Sequence, residues 1–593
     1  MTAKNEDSDY GSNDFDLNSV ESDNNILTIT NKQSFFSQDM SFSKRKQSAF
    51  PSVPQLEDPT IVKNTVNKNL SVLTSIIYAV FLVTLGGLIT LADQSKTRRY
   101  KAEIFSIVVA VLGIIWLIFV HFDIHRYKEH GVLELNKSME EGEIRRSQTA
   151  NVFVDRRNKD TPPYLFLKGR HGGIFYLKIG MAVFCFGHLI YEGLHFVQQV
   201  IFLTKQDTSC VDVTGIVLHV ITPVYSFYQL FICFKYANVI INRLKPFARF
   251  GLIHLFGTSL FFWLSTVVED ALQDYNLFIS NSVVQSNTTS VNFITNSSSP
   301  SKECVRKYFL LSPYLVRAVR YLYPFTIEYN LLLAGVWFGM WRNIGKDHKH
   351  AMAQHLIRKK DDDVRFESNL VLNVDCHSAN RGLFVGLFLL FVTIVTLIVF
   401  FVAMNSDKYV ETGVELQVVQ EMSLLVLGLI SVSLAWRQIA KLDVNVYSVT
   451  FLDDFLMFFT LPFFFINGIL TVWAELQDTN YVRVILNVLE IIQVIFQTVF
   501  ISDGLRRCSN KSELQFRKPG REVITFLIIL NVALWIVNTF QHKSIESFLA
   551  PERHYGIQWM FVEHATLPLM LFYRFHSSVC LVDVWQSAYK KGE

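Results

Sequence analysis

The chain has 593 residues, half of them apolar and only 18% charged, and its formal net charge at pH 7 is +3. A soluble protein would carry roughly a quarter charged residues, so the composition excludes an ordinary soluble protein and indicates a membrane protein. In a membrane protein the placement of charge is more informative than its sum. The net charge therefore identifies no partner, and we expect membrane lipids rather than nucleic acid around this chain.

Residues 1–69 are predicted to form a disordered, cytosolic tail. They are rich in Asn, Asp and Ser, and their apolar residues are few and widely spaced. Such a segment buries too little apolar surface to offset the entropy of ordering it. It also lacks the apolar run of a secretory signal peptide.

Twelve apolar stretches follow the tail, and each is long enough to cross a bilayer as a helix. They lie at 70–92, 103–121, 173–201, 211–236, 248–271, 308–341, 382–404, 414–436, 449–475, 481–502, 521–541 and 556–586. The predicted fold class is therefore an all-α polytopic membrane protein with twelve transmembrane helices.

The predicted spans divide into two six-helix domains, 70–341 and 382–593, joined by a cytosolic linker at 342–381. Lys and Arg are concentrated in this linker and in the connections 122–172 and 503–521. Positive residues favour the cytosolic side, which places both termini in the cytosol. Because six is even, both domains begin on the same side, and the repeat is parallel.

The connection 272–307 faces outward in this topology and carries two N-glycosylation sequons, at Asn287 and Asn296. Of the seven cysteines, only Cys210 and Cys304 lie in outward connections. That side is oxidising, so we predict a disulfide between them. Two free thiols are the alternative.

A faint sequence repeat relates the two halves. Each half has a glutamine near the end of its fourth span, a small polar residue four positions before a tryptophan in its fifth, and a Tyr-x-Phe sequence in its sixth. The resulting polar trios are Gln229, Ser259 and Tyr323 in the first half and Gln497, Asn531 and Tyr573 in the second. Such neutral side chains either hold helices together in lipid or line a narrow, wet path through a duplicated transport protein.

Ionisable residues inside the predicted spans are candidate functional groups, because charge is costly in hydrocarbon. Glu328, a candidate for pH sensing or gating, lies midway along the sixth span. The candidate buried charges are Glu490, midway along the tenth span, and Arg574 and His576, deep in the twelfth. Arg574 is expected to pair with a buried carboxylate such as Glu328 or Glu490. A purely structural ion pair is the alternative to a functional one.

The third span places His188, Glu192 and His195 on one helical face, since they are spaced by four and three residues. Glu192 would then relay protons, or the set would bind a metal. The alternative is that Glu192 and His195 simply lie at the outer membrane interface.

The outer ends of the fifth and eleventh spans carry a candidate pH sensor. Aligning the halves on their tryptophans puts Asp270 opposite His542, with Glu269 beside it, and His564 lies in the outer part of the last span. A protonated His542 would pair with Glu269 or Asp270 if the halves abut there. A neutral His542 with Glu269 also suits an inhibitory zinc ion. The alternative is that these are helix-end residues in contact with water.

The sequence contains no P-loop, GxSxG, HExxH or kinase motif. Neither ATP-driven transport nor hydrolytic catalysis therefore has motif support, and we predict that the chain is not an enzyme. A potassium-filter sequence and an arginine-repeat voltage sensor are also absent. The cysteines form no metal-finger pattern, and no resident metal or cofactor is predicted.

Three runs in the predicted spans resemble the otopetrins, which are proton-selective channels of the plasma membrane. The runs are Phe250–His254 with Trp263, Leu322–Tyr329, and Phe572–Leu581, and the resemblance extends over 70–590. It implies a proton-selective channel that extracellular acid activates. A proton-coupled secondary transporter is the alternative, because it can share the six-plus-six plan.

The resemblance also implies an assembly and ligands. Members are expected to form homodimers whose subunits have two barrel-like six-helix domains, often with sterol between domains, and external zinc inhibits many of them. The polar trios match the Gln–Asp/Asn–Tyr constellation of the family, and Glu269 and His542 match its acid-sensitive outer positions. Ser259 departs from the pattern, since the family more often has a carboxylate or an amide there.

Overall fold

The structure is a computed structural model that describes residues 59–94, 100–145, 163–166, 171–204, 211–237, 239–286, 313–345, 380–445, 451–545 and 549–591. Apart from Pro59–Val62, these residues belong to one unit, Lys63–Glu593. The predicted tail up to residue 58 and most of the predicted linker lie outside the described residues. The same holds for the sequons at Asn287 and Asn296 and for the predicted disulfide partners Cys210 and Cys304.

In the described part of the first half, six long helices accompany one pair of short strands. The helices are α1 (Pro59–Gln94), α2 (Tyr100–Arg145), α3 (His171–Thr204), α4 (Val213–Tyr236), α5 (Lys245–Ser286) and α6 (Pro313–Asn343). The strands β1 (Tyr164–Phe166) and β2 (Val239–Ile241) pair antiparallel, with Tyr164 opposite Ile241. Because α1 begins at Pro59, the prediction of a disordered tail is wrong for 59–69.

The second half repeats this order. Its long helices are α7 (Asn380–Met404), α8 (Val410–Ile439), α9 (Phe451–Gln477), α10 (Tyr481–Gly504), α12 (Arg521–Ile545) and α14 (Ile557–Ser587), with short helices α11 (Ser512–Arg517) and α13 (Ala550–Tyr555) before the last two. The strands β3 (Asp443–Val444) and β4 (Arg507–Cys508) pair antiparallel. In each half, the first strand precedes the third long helix, and its partner strand follows the fourth long helix. The two halves therefore share one plan.

Every predicted span falls on one of the twelve long helices. By length and composition, eleven helices in the described residues are able to cross a membrane. Helix α6 is not among the eleven, and its 31 residues include Arg317, Arg320 and Glu328. The all-α polytopic fold is confirmed, whereas the count of twelve spans is not.

Helix α14 connects the two halves. It packs against α9, α10 and α12 of its own half and against α3, α5 and α6 of the other. Phe184 of α3, for example, contacts Phe575 of α14 and Trp535 of α12, at centroid distances of 4.7 and 5.4 Å. In the 18-residue apolar window of α14, 83% of the residues are buried, against 17–61% in the windows of the other ten candidate spans. The polar residues of α14 therefore face protein rather than lipid.

Candidate functional site

Helix α10 presents a row of polar side chains to the interior of the second half. Glu490, Gln493 and Gln497 are spaced by three and four residues, so they lie on one helical face. The Gln493 amide donates to Gln497 Oε1 at 2.9 Å. Gln497 and Asn531 of α12 then exchange hydrogen bonds at 2.8 and 3.2 Å. Gln497 and Asn531, two of the six residues predicted to line a narrow path, are thus in direct contact, and both are fully buried.

Arg574 of α14 continues this row. Its guanidinium is fully buried, donates to Gln493 Oε1 at 2.6 Å and lies 3.1 Å from Glu490 Oε1. Of the two carboxylates expected as partners, Glu490 forms the pair. The result is a continuous chain of polar contacts from Glu490 through Arg574, Gln493 and Gln497 to Asn531.

Tyr573, the third member of the second trio, lies beside this row. Its hydroxyl is 2.9 Å from Thr498 Oγ1 and donates to the carbonyl oxygen of Val494 at 3.0 Å. The tyrosine therefore ties α14 to α10.

The first trio is not joined in the same way. Gln229 Oε1 accepts a hydrogen bond from the Trp337 indole at 2.9 Å. Ser259 is buried, and its hydroxyl has no hydrogen-bond partner in the part of the chain that the structure describes. Tyr323 packs against Tyr191, with ring centroids 5.1 Å apart. The two trios therefore differ, because the two tyrosines do not occupy equivalent places, and a constriction at either trio stays a prediction.

Tyr329 is the structural counterpart of Tyr573. Its hydroxyl donates to the carbonyl oxygen of Ser226 at 2.6 Å, as that of Tyr573 donates to Val494. Ser226 and Val494 each lie three residues before the glutamine of their helix. The two hydroxyls therefore make the same contact in the two halves.

A shared proline spacing supports this register. Pro324 in α6 and Pro568 in α14 each lie inside their helix, five residues before the tyrosine. The Tyr-x-Phe sequence instead aligned Tyr323 with Tyr573, which is six residues off. Proline inside a helix is rarer than an aromatic pair, because it removes a backbone donor. The Pro-x4-Tyr spacing was thus the more reliable signal.

The first half holds its own buried polar row, between α3, α4 and α6. His188 lies between two hydroxyls, with Nδ1 3.2 Å from Thr326 Oγ1 and Nε2 3.0 Å from Ser226 Oγ. Further along α3, Glu192 Oε2 lies 2.7 Å from His219 Nδ1. Sequence analysis found the shared face of His188 and Glu192 but missed Ser226 and His219. His219 and Ser226 are seven residues apart on α4, so they also share one helical face. This spacing is the sequence signal that could have identified them.

The row continues into a cluster of ionisable groups. His195 stacks on His219, with ring centroids 5.1 Å apart and planes 12° apart. Glu269 of α5 acts electrostatically on Glu103, Tyr191 and His219. This predicted sensor residue therefore belongs to the first-half cluster.

Three other predicted sensor residues, Asp270, His542 and His564, lie in two histidine–carboxylate pairs. His542 Nε2 lies 2.8 Å from Glu563 Oε1, and His564 Nε2 lies 3.4 Å from Asp270 Oδ2. The halves do abut here, since α14 and α5 supply His564 and Asp270. The structure corrects the predicted pairing of His542 with Glu269 or Asp270. The pairing differs because α14 packs beside the predicted outer ends of α5 and α12 and supplies a partner residue to each.

A small cavity of about 20 Å³, enough for about one water molecule, lies between the halves, next to these pairs. Residues of α5, α6 and α14 line it: Asp270, Pro324, Ile327, Glu328, Glu563, His564, Leu567, Pro568 and Leu571. Glu328 is fully buried, and neither of its carboxylate oxygens has a hydrogen-bond partner among the described residues. An unpartnered buried carboxyl group is costly, and a water molecule in the adjoining cavity would satisfy it.

Comparison with known proteins identifies the family. Residues 176–301 and 277–575 match the family model described as Otopetrin. The chain belongs to the otopetrin family. It is therefore a multi-pass membrane protein, and the matched residues include both polar rows and the cavity.

Individual relatives of this otopetrin carry channel names. "Proton channel OtopLc" of Drosophila melanogaster is 30% identical over 449 residues, which are 71% of this chain and only 28% of that protein. "Proton channel OTOP1" of Mus musculus is 21% identical over 500 residues, 70% of this chain and 79% of that protein. "Proton channel OTOP3" of Homo sapiens is 24% identical over 450 residues, 65% and 70% of the two chains.

His576 lies apart from the rows and the cavity of this otopetrin. Its Nε2 is 3.5 Å from Cys580 Sγ and 4.0 Å from Asp453 Oδ1. The sequence predicted a buried charged group at this position and gave it no partner.

Proposed function

We propose that this otopetrin is a proton channel whose conducting groups lie in the first half and at the boundary between the halves. The observation that carries the proposal is the row of Thr326, His188 and Ser226 with Glu192 and His219 beyond it. Hydroxyl, imidazole and carboxyl groups can each accept one proton and release another, the hydroxyl at its single oxygen and the other two at different atoms. The channel names of the relatives support the same function.

The row in the second half has chemistry that is poorly suited to proton transfer. Arg574 offers donors only and stays protonated, and the amides of Gln493, Gln497 and Asn531 hold fixed donor and acceptor roles. A fixed guanidinium also raises the barrier to a passing positive charge. We therefore assign this row to holding α10, α12 and α14 together.

The cavity between the halves supplies a second set of relay groups. Glu328 lines it together with Asp270, Glu563 and His564, and a water molecule there would link neighbouring groups by hydrogen bonds. In our proposal, protons that enter near the histidine–carboxylate pairs reach Glu328 through this cavity.

We further propose that the channel resides in the plasma membrane with both termini in the cytosol and that extracellular acid activates it. Support comes from the two histidine–carboxylate pairs, which lie at one end of the bundle, where α12 ends and α14 begins. Histidine titrates near neutral pH and biases such contacts. A homodimer, bound sterol and zinc inhibition stay predictions from the family resemblance.

A proton-coupled secondary transporter is the second candidate, and one observation favours it. The cavity next to Glu328 lies between the two repeats, where such transporters bind their solutes.

Electrical recording distinguishes the two candidates. Cells that express the full chain are placed in an acidified bath without organic solute, and current and cytosolic pH are measured together. A proton channel gives a reversal potential that moves by about 59 mV per pH unit. This value follows because one pH unit corresponds to about 1.36 kcal/mol per proton, and 100 mV corresponds to about 2.3 kcal/mol per elementary charge. A transporter gives no current until its solute is added.

A further inference from the structure

Three metal-ligating side chains meet where α9 begins and α14 approaches its end. The nitrogen of His576 is 3.5 Å from the sulfur of Cys580 and 4.0 Å from a carboxylate oxygen of Asp453. All three ligand atoms lie within 4.8 Å of one another. Among the described residues, no other set of three His, Cys, Asp or Glu side chains meets so closely.

Helix geometry and packing place the three groups. His576 and Cys580 are four residues apart on α14, so they share a face, and Asp453 approaches that face from the first turn of α9. Phe572 stacks on the imidazole, with centroids 5.4 Å apart and planes 10° apart, and thereby fixes the plane of the ring. His576 Nδ1 has no hydrogen-bond partner in the described residues. Nε2 is therefore the nitrogen directed at both other ligands.

The distances suit a zinc ion with little rearrangement. Ligands that bind Zn²⁺ tetrahedrally at about 2.0–2.3 Å lie roughly 3.3–3.6 Å apart. The nitrogen–sulfur distance of 3.5 Å already meets this requirement. The carboxylate oxygen is 4.0 Å from the nitrogen and within 4.8 Å of the sulfur, so it would have to move by roughly an ångström.

The donor set also selects the metal. Imidazole, thiolate and carboxylate together favour Zn²⁺ over Mg²⁺ or Ca²⁺, which take oxygen ligands. Three protein ligands leave a fourth position for water.

An ion can reach this site from one side. His576 and Cys580 are buried, with 4% and 1% exposure, whereas the Asp453 side chain is 25% exposed. The neighbouring carboxylate of Asp454 is engaged by Arg506 at 2.6 Å. Asp453 is the carboxylate that combines this exposure with a ligand atom within 4.8 Å of both other ligands.

We propose that Asp453, His576 and Cys580 form a Zn²⁺ site that clamps the start of α9 to α14. Its three ligands belong to neither polar row and do not line the cavity between the halves. The site is also distinct from His542 and Glu563. Its occupancy therefore does not depend on the proposed proton path.

Metal titration of the purified full-length chain in detergent tests the proposal. After chelator treatment the chain is titrated with Co²⁺, whose bond to a thiolate gives a near-ultraviolet charge-transfer band, and then with Zn²⁺. We expect one Co²⁺ per chain with this band, displaced by Zn²⁺. Cys580→Ala should abolish the band. Asp453→Asn should weaken Zn²⁺ binding more than about 100-fold, since even partners outside the ligand shell are worth 10–100-fold.

Cys233→Ala is the matched control, because it removes another buried helical cysteine and should leave the band intact. Absence of the band from the unmodified chain, or its survival in Cys580→Ala, would overturn the proposal. If Cys580→Ala does not fold, the unmodified chain decides the matter. Zn²⁺ should then slow maleimide modification of Cys580, measured by mass spectrometry, and an unchanged rate would show a hydrogen-bonded cluster without metal.

Discussion

The hydroxyls of Tyr329 and Tyr573 make the same contact in the two halves of the chain, each donating to a carbonyl oxygen of the fourth long helix of its half. The distances are 2.6 Å to Ser226 and 3.0 Å to Val494. The neighbours of these tyrosines differ, since Arg574 follows one and Asn330 the other. The repeat is thus preserved in the hydrogen bonds that connect the helices, whereas the polar residues next to these tyrosines differ between the halves.

Tyr329→Phe and Tyr573→Phe are therefore expected to lower thermal stability to a similar extent. Each substitution removes the buried hydrogen bond to this carbonyl oxygen, and such a bond is worth about 1 kcal/mol. Thermal unfolding of the purified protein in detergent measures the effect. A loss in Tyr573→Phe with no loss in Tyr329→Phe would contradict the equivalence of the two positions.

Glu328→Gln is expected to reduce the proton current at least tenfold with an unchanged amount of protein at the cell surface. Glutamine keeps the volume and polarity of the side chain but cannot take up and release a proton, and positioned proton-transfer groups commonly contribute about 100-fold or more to rates. Current per surface channel is the measurement. Glu415→Gln, on the exposed side of α8, is the matched control. Normal current in Glu328→Gln would exclude this carboxyl group from the path.

Glu490→Gln is expected to remove most of the folded protein. It leaves the fully buried guanidinium of Arg574 without its counter-charge, and breaking a buried pair from one side costs about 3–5 kcal/mol. The double variant Glu490→Gln, Arg574→Met should restore surface protein, because neither charge then remains. The double variant should also conduct protons, because we propose that the polar row of the second half holds helices together and does not conduct. Restored surface protein without proton current would show that the row conducts.

The long helices were predictable because a bilayer requires about 20 consecutive apolar residues, and that pattern is visible in the sequence. The short strands were not, since segments of two or three residues are too short for an alternating pattern. Arg574 could be assigned to one of two carboxylates but not to Glu490 alone, because Glu328 lies at a similar depth in its own span.

The partner of His542 also could not be predicted from the sequence. Aligning the halves showed that α5 and α12 end at equivalent places, but it did not show that α14 packs beside both ends. Glu563 therefore takes the place expected for Glu269 or Asp270. Such neighbours depend on tertiary packing, whereas helical periodicity reports only which residues share a face of one helix.

Tyr164→Phe is expected to reduce stability at neutral pH and to flatten its decline at alkaline pH. Burial, and then the hydrogen bond that the Tyr164 hydroxyl donates to Asp123, raise the pKa of Tyr164 above its usual value near 10. This contribution is fully present below pH 10, and it is lost as the pH rises toward the pKa of the folded state. Hydrogen bonds to charged groups are worth about 1.5–3 kcal/mol.

Thermal unfolding between pH 7 and pH 11 tests this prediction on the strand pair. Tyr481→Phe is the matched control, because that tyrosine is 65% exposed. The decline above pH 10 should be steeper in the unmodified chain and in Tyr481→Phe than in Tyr164→Phe. Equal slopes in all three proteins would show that the phenol of Tyr164 makes no such contribution.

His542→Ala is expected to shift the dependence of the current on external pH while proton selectivity stays unchanged. The imidazole lies 2.8 Å from Glu563 and also acts electrostatically on Glu421 and Glu490, so its removal abolishes a proton-dependent attraction between α12 and α14. We expect a shift of about half a pH unit or more, which corresponds to roughly 0.7 kcal/mol. Zinc inhibition should also weaken, because imidazole and carboxylate are zinc ligands.

Current recorded over a series of bath pH values, with and without external Zn²⁺, measures both effects on His542. Glu563→Gln should act in the same direction, since it removes the other member of the pair. His554→Ala is the matched control, because this histidine is exposed on α13 and outside the pair. If His542→Ala and Glu563→Gln both leave the pH–current curve and the zinc block as they are in the unmodified chain, the acid sensor lies elsewhere. The pair of His564 and Asp270, which joins the two halves at 3.4 Å, would then be the next position to test.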